Sequence, residues 1–292
     1  MSGIDPFATF RPLLFTIAYE ILGSAADAED VLQDSYLRWR EASGVTHPRA
    51  YLVQIVTRQA INQLRSVRRR REEYVGAWLP EPIRTSPDAE HDVLLAESVS
   101  MAMLLVLETL GPTERAVFVL AEVFGHSHAE IATMIGKSEP AVRQIAHRAR
   151  GHVAARRRRF EPDAETSRAV VARFLQAVDT GAIDALLAVL APDVVQISDG
   201  GGRVTAARRP IVGAEPVARF LLGLGRGWMP GMTVEFGSFN ALPALLIRSA
   251  AGALDTVLLI EVTGPVVTGL YAIRNPDKLR SADTVRTLDS RV

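Results

Sequence analysis

Four polar side chains that can hydrogen-bond to the edges of DNA bases lie at helical spacing near the middle of the chain. Arg143 and Arg148 can each pair with guanine through two hydrogen bonds, Gln144 can pair with adenine in the same way, and His147 lies between them. Apolar residues at 142, 145, 146, 149 and 153 occupy the other face of the same predicted helix. An ordinary helical hairpin with a solvated basic face is the alternative, and composition alone favours the two equally.

The residues in front of this helix favour a helix–turn–helix. Ser127 and Glu130 have the spacing of a capping box, and Gly136 suits a left-handed residue in a tight turn. Ser138 can cap the second helix, which tolerates Pro140 in its first turn. A capped helix, a glycine turn and a capped cationic helix together predict that the first helix holds the second in the major groove.

Further cations end a long helix predicted from about Pro48, where five arginines fall within the seven residues 65–71. The helix dipole accounts for one or two cations at a C-terminus, so phosphate contact is the better interpretation of this cluster. An earlier helix carries acids at 27, 29, 30 and 34 near its start. These acids stabilise a helix N-terminus, or they form an acidic face on which another protein docks.

Composition limits the class of protein. The formal net charge of the 292 residues is zero, yet the cations are clustered rather than spread. The absence of cysteine excludes disulfides, thiolate metal sites and a cysteine nucleophile. The first residues lack the pattern of a signal peptide, and no apolar run approaches about 18 residues. We therefore predict a cytoplasmic protein with no membrane contact, no metal and no cofactor.

Periodicity divides the chain into domains. Helical spacing predicts one helical domain over residues 1–75 and another over 92–160, joined by a linker at 76–91 that is rich in proline and acid. Residues 165–285 predict an α+β domain, in which two helical segments to about Leu190 precede several β-type runs. These runs are VVQIS, TVEFGSF, ALLIRSA, TVLLIEV and VVTGLYAI.

Together these features resemble a bacterial sigma factor of the extracytoplasmic-function (ECF) type. DAEDVLQDSYLRW at 27–39 resembles the segment that binds core RNA polymerase. HPRAYLVQIVTRQAINQLRSVRRRR at 47–71 resembles the segment that opens and reads the minus-ten promoter element, although Asn62 stands where many such factors carry Asp. LGPTERAVFVLAEVFGHSHAEIATMIGKSEPAVRQIAHRAR at 110–150 resembles the domain that reads the minus-thirty-five element.

The resemblance implies two partners, RNA polymerase core enzyme and promoter DNA. Core binding then falls to Asp30, Gln33 and Asp34. DNA binding falls to Arg58, Arg65, Arg68, Arg69, Arg143, Gln144, His147 and Arg148.

The remainder of the chain is similar to SnoaL-like domains, which are cone-shaped α+β folds that enclose a pocket. The subgroup of these sigma factors with such an extension has three short signatures, and all are present: WLPEP at 78–82, DGGGR at 199–203 and NPDKL at 275–279, with Arg203 where lysine is usual. The predicted fold class is thus multidomain: two all-α DNA-binding domains, the second a helix–turn–helix, and then a SnoaL-like domain that regulates them in cis. The implied interdomain residues are Trp78, Leu79, Pro80, Glu81, Pro82, Asp199, Gly200, Gly201, Gly202, Arg203, Asn275, Pro276, Asp277, Lys278 and Leu279.

DGGGR itself has several interpretations. A phosphate cradle is poorly supported, because no helix start or GK[ST] follows it. A hairpin turn between VVQIS and RVTAA fits the Asp-Gly pair. Trp78 and Leu79 are large apolar residues in a polar linker, so we predict that WLPEP docks on DGGGR and NPDKL. The alternative is that each signature only shapes its own loop.

An enzyme is the competing hypothesis for the last domain. SnoaL-like folds include isomerases, cyclases and hydrolases, and Asp199 or Asp193 could serve as a general base. The residues after Thr166 include no histidine and one tyrosine, Tyr271, so we predict a regulatory domain, with an unidentified small molecule as a candidate pocket ligand. A helix–turn–helix regulator fused to a SnoaL-like enzyme or sensor is the alternative, but it leaves the acidic helix and the arginine-rich helix unexplained.

Overall fold

A computed structural model describes residues 5–85, 93–156, 164–228 and 231–289, which fall into two compact units. The first unit combines the residues up to 73 with 94–156 and with the chain end from 286 onward. The second unit combines 74–85 with 164–228 and 231–285. None of the described helices has the length and apolar character needed to cross a lipid bilayer.

The first helical region, residues 5–73, is built from three helices, of which the first two have side-chain N-caps. The Asp5 side chain accepts a hydrogen bond from the backbone of Phe7 at 2.9 Å, and Gly23, with φ 68°, ends the first helix. Ser24 accepts from the backbone of Asp27 at 3.1 Å and caps the second. Apolar side chains of all three helices form a shared buried core. The helices are α1 Pro6–Leu22, α2 Ala25–Glu41 and α3 Pro48–Glu72.

The second helical region, residues 93–156, ends in a helix–turn–helix. Ser127 and Glu130 form the predicted capping box, in which Ser127 N donates to Glu130 Oε2 at 2.8 Å. Gly136 ends that helix with φ 68°. Ser138 occupies the next N-cap position, but within the described chain its side chain makes no capping hydrogen bond, contrary to our expectation. The elements are α4 Val93–Val99, α5 Met101–Glu108, α6 Pro112–Phe118, a π-helical turn Val119–Val123, α7 His128–Ile135 and α8 Glu139–Ala154.

The C-terminal domain, residues 164–285, packs helices on one face of a mixed sheet. Among the described residues the strand order is β3-β2-β7-β6-β5-β4-β1-β8, with β2 and β7 parallel. The five predicted β-type runs lie in β2, β4, β5, β6 and β7. The elements are α9 Ala164–Thr180, α10 Ile183–Val189, β2 Leu190–Asp199, β3 Ile211–Val212, α11 Ala214–Trp228, β4 Thr233–Phe239, β5 Leu242–Arg248, β6 Leu254–Thr263, β7 Val266–Ile273, α12 Pro276–Leu279 and β8 Val285–Arg286, with β1 Arg84–Thr85 supplied by the linker.

The hairpin predicted around DGGGR is only partly correct. A tight turn does occur, because Arg203 N donates to Gly200 O at 2.9 Å and the central residues Gly201 and Gly202 have φ 60° and 69°. RVTAA does not form a strand, however. The strand that returns along β2 is β3, which pairs Val212 with Val195. The Asp199 side chain accepts a hydrogen bond from Gly201 N within this turn and another from Leu79 N of the linker.

Candidate functional site

Asp199, the acid of DGGGR, ends β2 with a fully buried side chain that binds the linker. Its Oδ1 accepts hydrogen bonds from Tyr74 Oη at 2.6 Å and from Gly201 N at 3.0 Å. Its Oδ2 accepts from Leu79 N at 2.9 Å and from Lys278 Nζ at 2.6 Å. A buried carboxylate is tolerated when both oxygens are paired in this way. Asp199 therefore joins the linker backbone to its own domain.

Lys278, the cation of NPDKL, contacts the same linker residues. Its Nζ also donates to Leu79 O, and it lies 4.2 Å from the ring centroid of Trp78 and 5.0 Å from that of Tyr74. An ammonium group over aromatic rings gains cation–π attraction, which is larger where water is excluded. Lys278 thus contacts WLPEP and DGGGR together.

Tyr74 precedes WLPEP, and the sequence analysis did not single it out. Burial and the hydrogen bond to the Asp199 carboxylate raise the pKa of Tyr74, so its hydroxyl stays protonated and donates. The hydroxyl also accepts from Asn275 Nδ2 at 2.7 Å. A Cβ on Gly201 would overlap the Asn275 amide, and one on Gly202 would lie 3.0 Å from Val75 Cβ. Glycine is needed at these two positions because Asn275 approaches the first and Val75 the second so closely.

The remaining signature residues divide into contacts and loop formers. Leu79, Pro80, Glu81 and Pro82 are buried, and Glu81 accepts from Ser281 Oγ at 3.0 Å. Arg203 pairs with Asp277 at 3.1 Å, but its side chain is 66% exposed, and exposed pairs contribute little. Gly200, Pro276 and Leu279 shape their own turns: a Cβ on Gly200 would meet Val204 O, Pro276 begins α12, and Leu279 packs inward.

The polar face of α8 is open. Arg143, Gln144, His147 and Arg148 are all exposed. The opposite face is buried. Among the described residues, Arg143 pairs with Glu139 at the surface, at 2.7 Å. The helix therefore presents its predicted base-reading side chains together.

The arginines of α3 are less uniform. Arg58 donates from Nε to Met134 O at 2.6 Å and from a terminal nitrogen to Thr133 O at 3.1 Å, so the C-terminal carbonyls of α7 hold it. Arg65 and Arg68 are exposed. The side chain of Arg69 lies outside the described part of the chain.

An exposed stripe runs along α2. Asp30, Gln33 and Asp34 are exposed, and Leu37 continues the stripe at i+7 with 54% of its surface accessible. Leu37 was missed in the sequence analysis, where only the polar residues of this helix drew attention. The stripe is exposed along the helix, so it is accessible to a protein partner.

A charge cluster lies between the two helical regions. Glu108 of α5 accepts from Arg115 of α6 and, at 2.5 Å, from Arg71 of α3. Arg71 also donates to Leu22 O at 2.6 Å. Burial by itself would raise the pKa of Glu108, but the charges of Arg115 and Arg71 outweigh it and hold that pKa below its ordinary value. This cluster joins the first helical region to the second.

Known proteins match the chain over almost its whole length. A family model described as Sigma-70 region 2 matches residues 7–70, and one described as Sigma-70, region 4 matches residues 100–153. ECF RNA polymerase sigma factor SigJ of Mycobacterium tuberculosis is 36% identical over 290 residues, which cover 94% of this chain and 92% of the relative. The probable ECF RNA polymerase sigma factor SigI of the same species is 30% identical over 96% of this chain and 97% of its own. The crystal structure of SigJ superposes with a TM-score of 0.77 at 33% identity, covering 95% of this chain and 98% of that one.

The chain belongs to the ECF RNA polymerase sigma factors. As such it binds RNA polymerase core enzyme and directs promoter-specific initiation of transcription. In this sigma factor the first helical region contains region 2, and the second contains region 4 with its helix–turn–helix. The α+β domain that follows is SnoaL-like, so the predicted family and fold class are confirmed.

Proposed function

We propose that the C-terminal domain of this ECF sigma factor controls it in cis by holding the linker between the two DNA-binding regions. The observation that carries the proposal is the Asp199–Lys278 ion pair, at 2.6 Å. Asp199 accepts a hydrogen bond from Leu79 N, and Lys278 donates one to Leu79 O. The domain acts with the polymerase in the cytoplasm. The test is transcription from a cognate promoter by the full chain and by variants whose linker contact is broken.

Docking limits the freedom of the linker. Of the predicted linker, residues 76–85 are held against the C-terminal domain, and β1 adds to its sheet through the pairing of Arg84 with Phe239. Docked residues cannot extend freely, so fixing 76–85 on the C-terminal domain limits how far the linker lets the two DNA-binding regions separate. Release of the docked segment is thus a way for this domain to change which promoters are reached.

The end of the chain supports the same proposal. Arg286 pairs with Glu29 of α2 and lies 5.0 Å from the Phe15 ring centroid, and Asp289 N donates to Thr16 Oγ1 at 3.1 Å. Residues that follow the C-terminal domain therefore pack on α1 and α2 of the first helical region. Glu29 precedes Asp30 of the exposed stripe, so this contact lies beside the surface that we propose for core enzyme.

The contacts of the acidic residues favour regulation over catalysis. Asp199 is one of the candidate bases, and it accepts a hydrogen bond from the linker backbone. Asp193 is the other, and it is exposed near the start of β2. Tyr271 donates to Glu261 at 2.5 Å. Side chains alternate along a strand, so Tyr271 points away from the helix-covered face on which Leu270 is buried. We therefore propose that this domain is not an enzyme.

A ligand could act on the docked linker. A cavity of 350 Å³ lies beside the DGGGR turn, lined by Val75 and Gly76 on one side and by Ser198, Arg203 and Arg208 on the other. The two guanidinium groups suit a small anionic molecule. Because both the linker and the turn line the cavity, an occupant that prefers the docked arrangement would stabilise it.

The stripe on α2 gives the first prediction. Reversing charge in the double variant Asp30→Lys/Asp34→Lys is expected to weaken core binding, while the free energy of unfolding changes by no more than about 1 kcal/mol, because exposed helix charges contribute little to folding. Pull-down with purified core enzyme measures the effect. Glu72→Lys/Asp179→Lys, which makes the same charge change at exposed positions on α3 and α9, away from the stripe, is the control. Unchanged core binding by the first double variant would show that the docking face is elsewhere.

The second prediction separates base reading from phosphate contact. Arg143→Ala is expected to reduce the free energy of DNA binding by about 1–3 kcal/mol and to relax the base preference at one base pair of the upstream element. Arg68→Ala is expected to weaken binding to all DNA sequences alike. It is also expected to lower the slope of log binding constant against log salt concentration by about 1. Binding to promoter variants over a salt series distinguishes them. Arg219→Ala removes a comparable i,i+4 ion pair, with Glu215 at 2.5 Å, from the C-terminal domain and is the control. A uniform loss for both Arg143→Ala and Arg68→Ala contradicts the division.

A further inference from the structure

Glu20, on α1, is a fully buried carboxyl at the contact between the two helical regions. Its Oε1 accepts a hydrogen bond from Ser98 Oγ of α4 at 2.7 Å. Its Oε2 has no hydrogen-bond partner among the described residues. An ionised carboxylate buried with one oxygen unpaired costs several kcal/mol, whereas a neutral carboxyl costs far less. The closed contact therefore favours the protonated form.

The charged groups around Glu20 do not offset this cost. Arg115 of α6 donates from Nε to the backbone oxygen of Glu20 at 2.8 Å, but its charge is already paired with Glu108. Burial raises the pKa of Glu20 to about 8, although the Ser98 hydrogen bond and the Arg115 charge oppose the shift.

Several ionisable groups on elements packed against α1 have partners of their own. These are Asp27 with Gln63, Glu29 with Arg11 and Arg286, Arg71 with Glu108, and Glu122 with Arg150.

The contact that buries Glu20 has to open during promoter recognition. In the closed arrangement α3 touches α7, since Arg58 Nε is 2.6 Å from Met134 O. The two promoter elements are separated by about 25 base pairs, or about 85 Å of duplex at 3.4 Å per base pair. Regions in direct contact cannot read both elements together. Once they separate, Glu20 loses its partners on α4 and α6 and is exposed to water.

We propose that Glu20 is a proton-operated latch: the two helical regions close on its neutral carboxyl and separate with the loss of one proton, so that the open form is favoured as the pH rises. The proposal rests on recognition of two promoter elements. The closed form has the higher affinity for the proton. Its stability is therefore fully present below the ordinary pKa of 4.5, falls through neutral pH and levels off above about 8.

The chain has no cysteine, so two introduced cysteines can carry a pair of fluorescent dyes on the full-length protein without labelling elsewhere. Arg40→Cys and Lys137→Cys label exposed positions in the first and second helical regions. Energy transfer measured from pH 5.5 to 8.5 is expected to give an opening constant that rises about 10-fold per pH unit up to about pH 8 and then levels off. Glu20→Gln, which keeps the shape but binds no proton, is expected to remove that slope.

Two further variants make the result decisive. Glu72→Gln changes an exposed carboxyl in the same way and is expected to keep the slope. Glu20→Met, a flexible apolar side chain of similar length, also removes the proton and serves if Gln is not tolerated in the buried site. Equal slopes in the parent chain and in both Glu20 variants, or a carboxyl carbon of Glu20 that titrates near 4.5 in the closed protein, would overturn the proposal.

Discussion

Replacing Asp199 with alanine is expected to release the linker from the C-terminal domain and to change promoter-driven transcription. The substitution removes the acceptor for Tyr74, for Leu79 N and for the Lys278 ammonium group. Lys278, whose side chain is 11% exposed, would then be a buried cation without its carboxylate. Breaking a buried pair in this way costs about 3–5 kcal/mol, which is enough to shift most molecules to the undocked form. Transcription with reconstituted polymerase and protease cleavage of the linker both measure the release.

A double-mutant cycle separates docking from independent effects. Trp78→Ala removes the ring that lies 4.2 Å from Lys278 Nζ. If both residues act through one contact, Trp78→Ala/Asp199→Ala is expected to change transcription much less than the sum of the single changes, since either change already breaks it. Arg203→Ala is the control within the same signature, because its exposed pair with Asp277 contributes at most about 1 kcal/mol. Additive effects, with a linker no more open to protease than before, contradict docking.

Local patterns in the sequence predict much of the fold. Ser127, Glu130 and Gly136 act within one turn of the chain, so their spacing alone predicts where α7 begins and ends. The five β-type runs are also recognisable, because each has apolar residues for a sheet that packs under helices. In these cases the local preference and the tertiary structure agree.

Several elements depend on tertiary contacts and were not predicted, among them α11 and β1. Residues 214–228 form α11 although the segment contains three glycines, which disfavour helix. Val217 and Ala218 of this helix are buried in the core of the C-terminal domain, and that packing outweighs the weak local preference. The two-residue strand β1 has no period to detect, because its pairing partner is Phe239.

The sequence predicted which residues form the site better than it predicted the contacts that they make. Asp199 and Lys278 belong to recognisable signatures, whereas Tyr74 lies before WLPEP, and an aromatic residue in a polar stretch was its only local signal. Arg58 illustrates the other limit. Its charge suits a phosphate, but the C-terminal carbonyls of α7 also attract a cation, and only the packing of α3 on α7 decides between the two.

Replacing Glu108 with alanine is expected to lower the free energy of unfolding of the helical unit by about 3 kcal/mol or more. Arg71 and Arg115 would remain near each other without the carboxylate that pairs with both. Denaturant unfolding followed by the helical circular dichroism signal measures the loss. Glu139→Ala breaks the exposed pair with Arg143 and is the control, with an expected loss of at most about 0.5 kcal/mol. Similar losses for the two variants would show that the buried cluster has no special role.

The dependence of this effect on pH has a definite sign. The pKa of Glu108 lies below the ordinary 4.5, so its contribution is present above pH 4.5 and is lost as the pH falls through the folded pKa. The pKa of Glu20 is raised, so its contribution to the same contact is lost in the opposite direction, as the pH rises above 4.5. Glu108→Ala is thus expected to remove the fall in the free energy of unfolding at acid pH and to keep the fall at alkaline pH. Glu20→Gln is expected to have the opposite effect. Unfolding measured from pH 3 to 9 in both variants distinguishes the two carboxyls, because each variant keeps the other group intact.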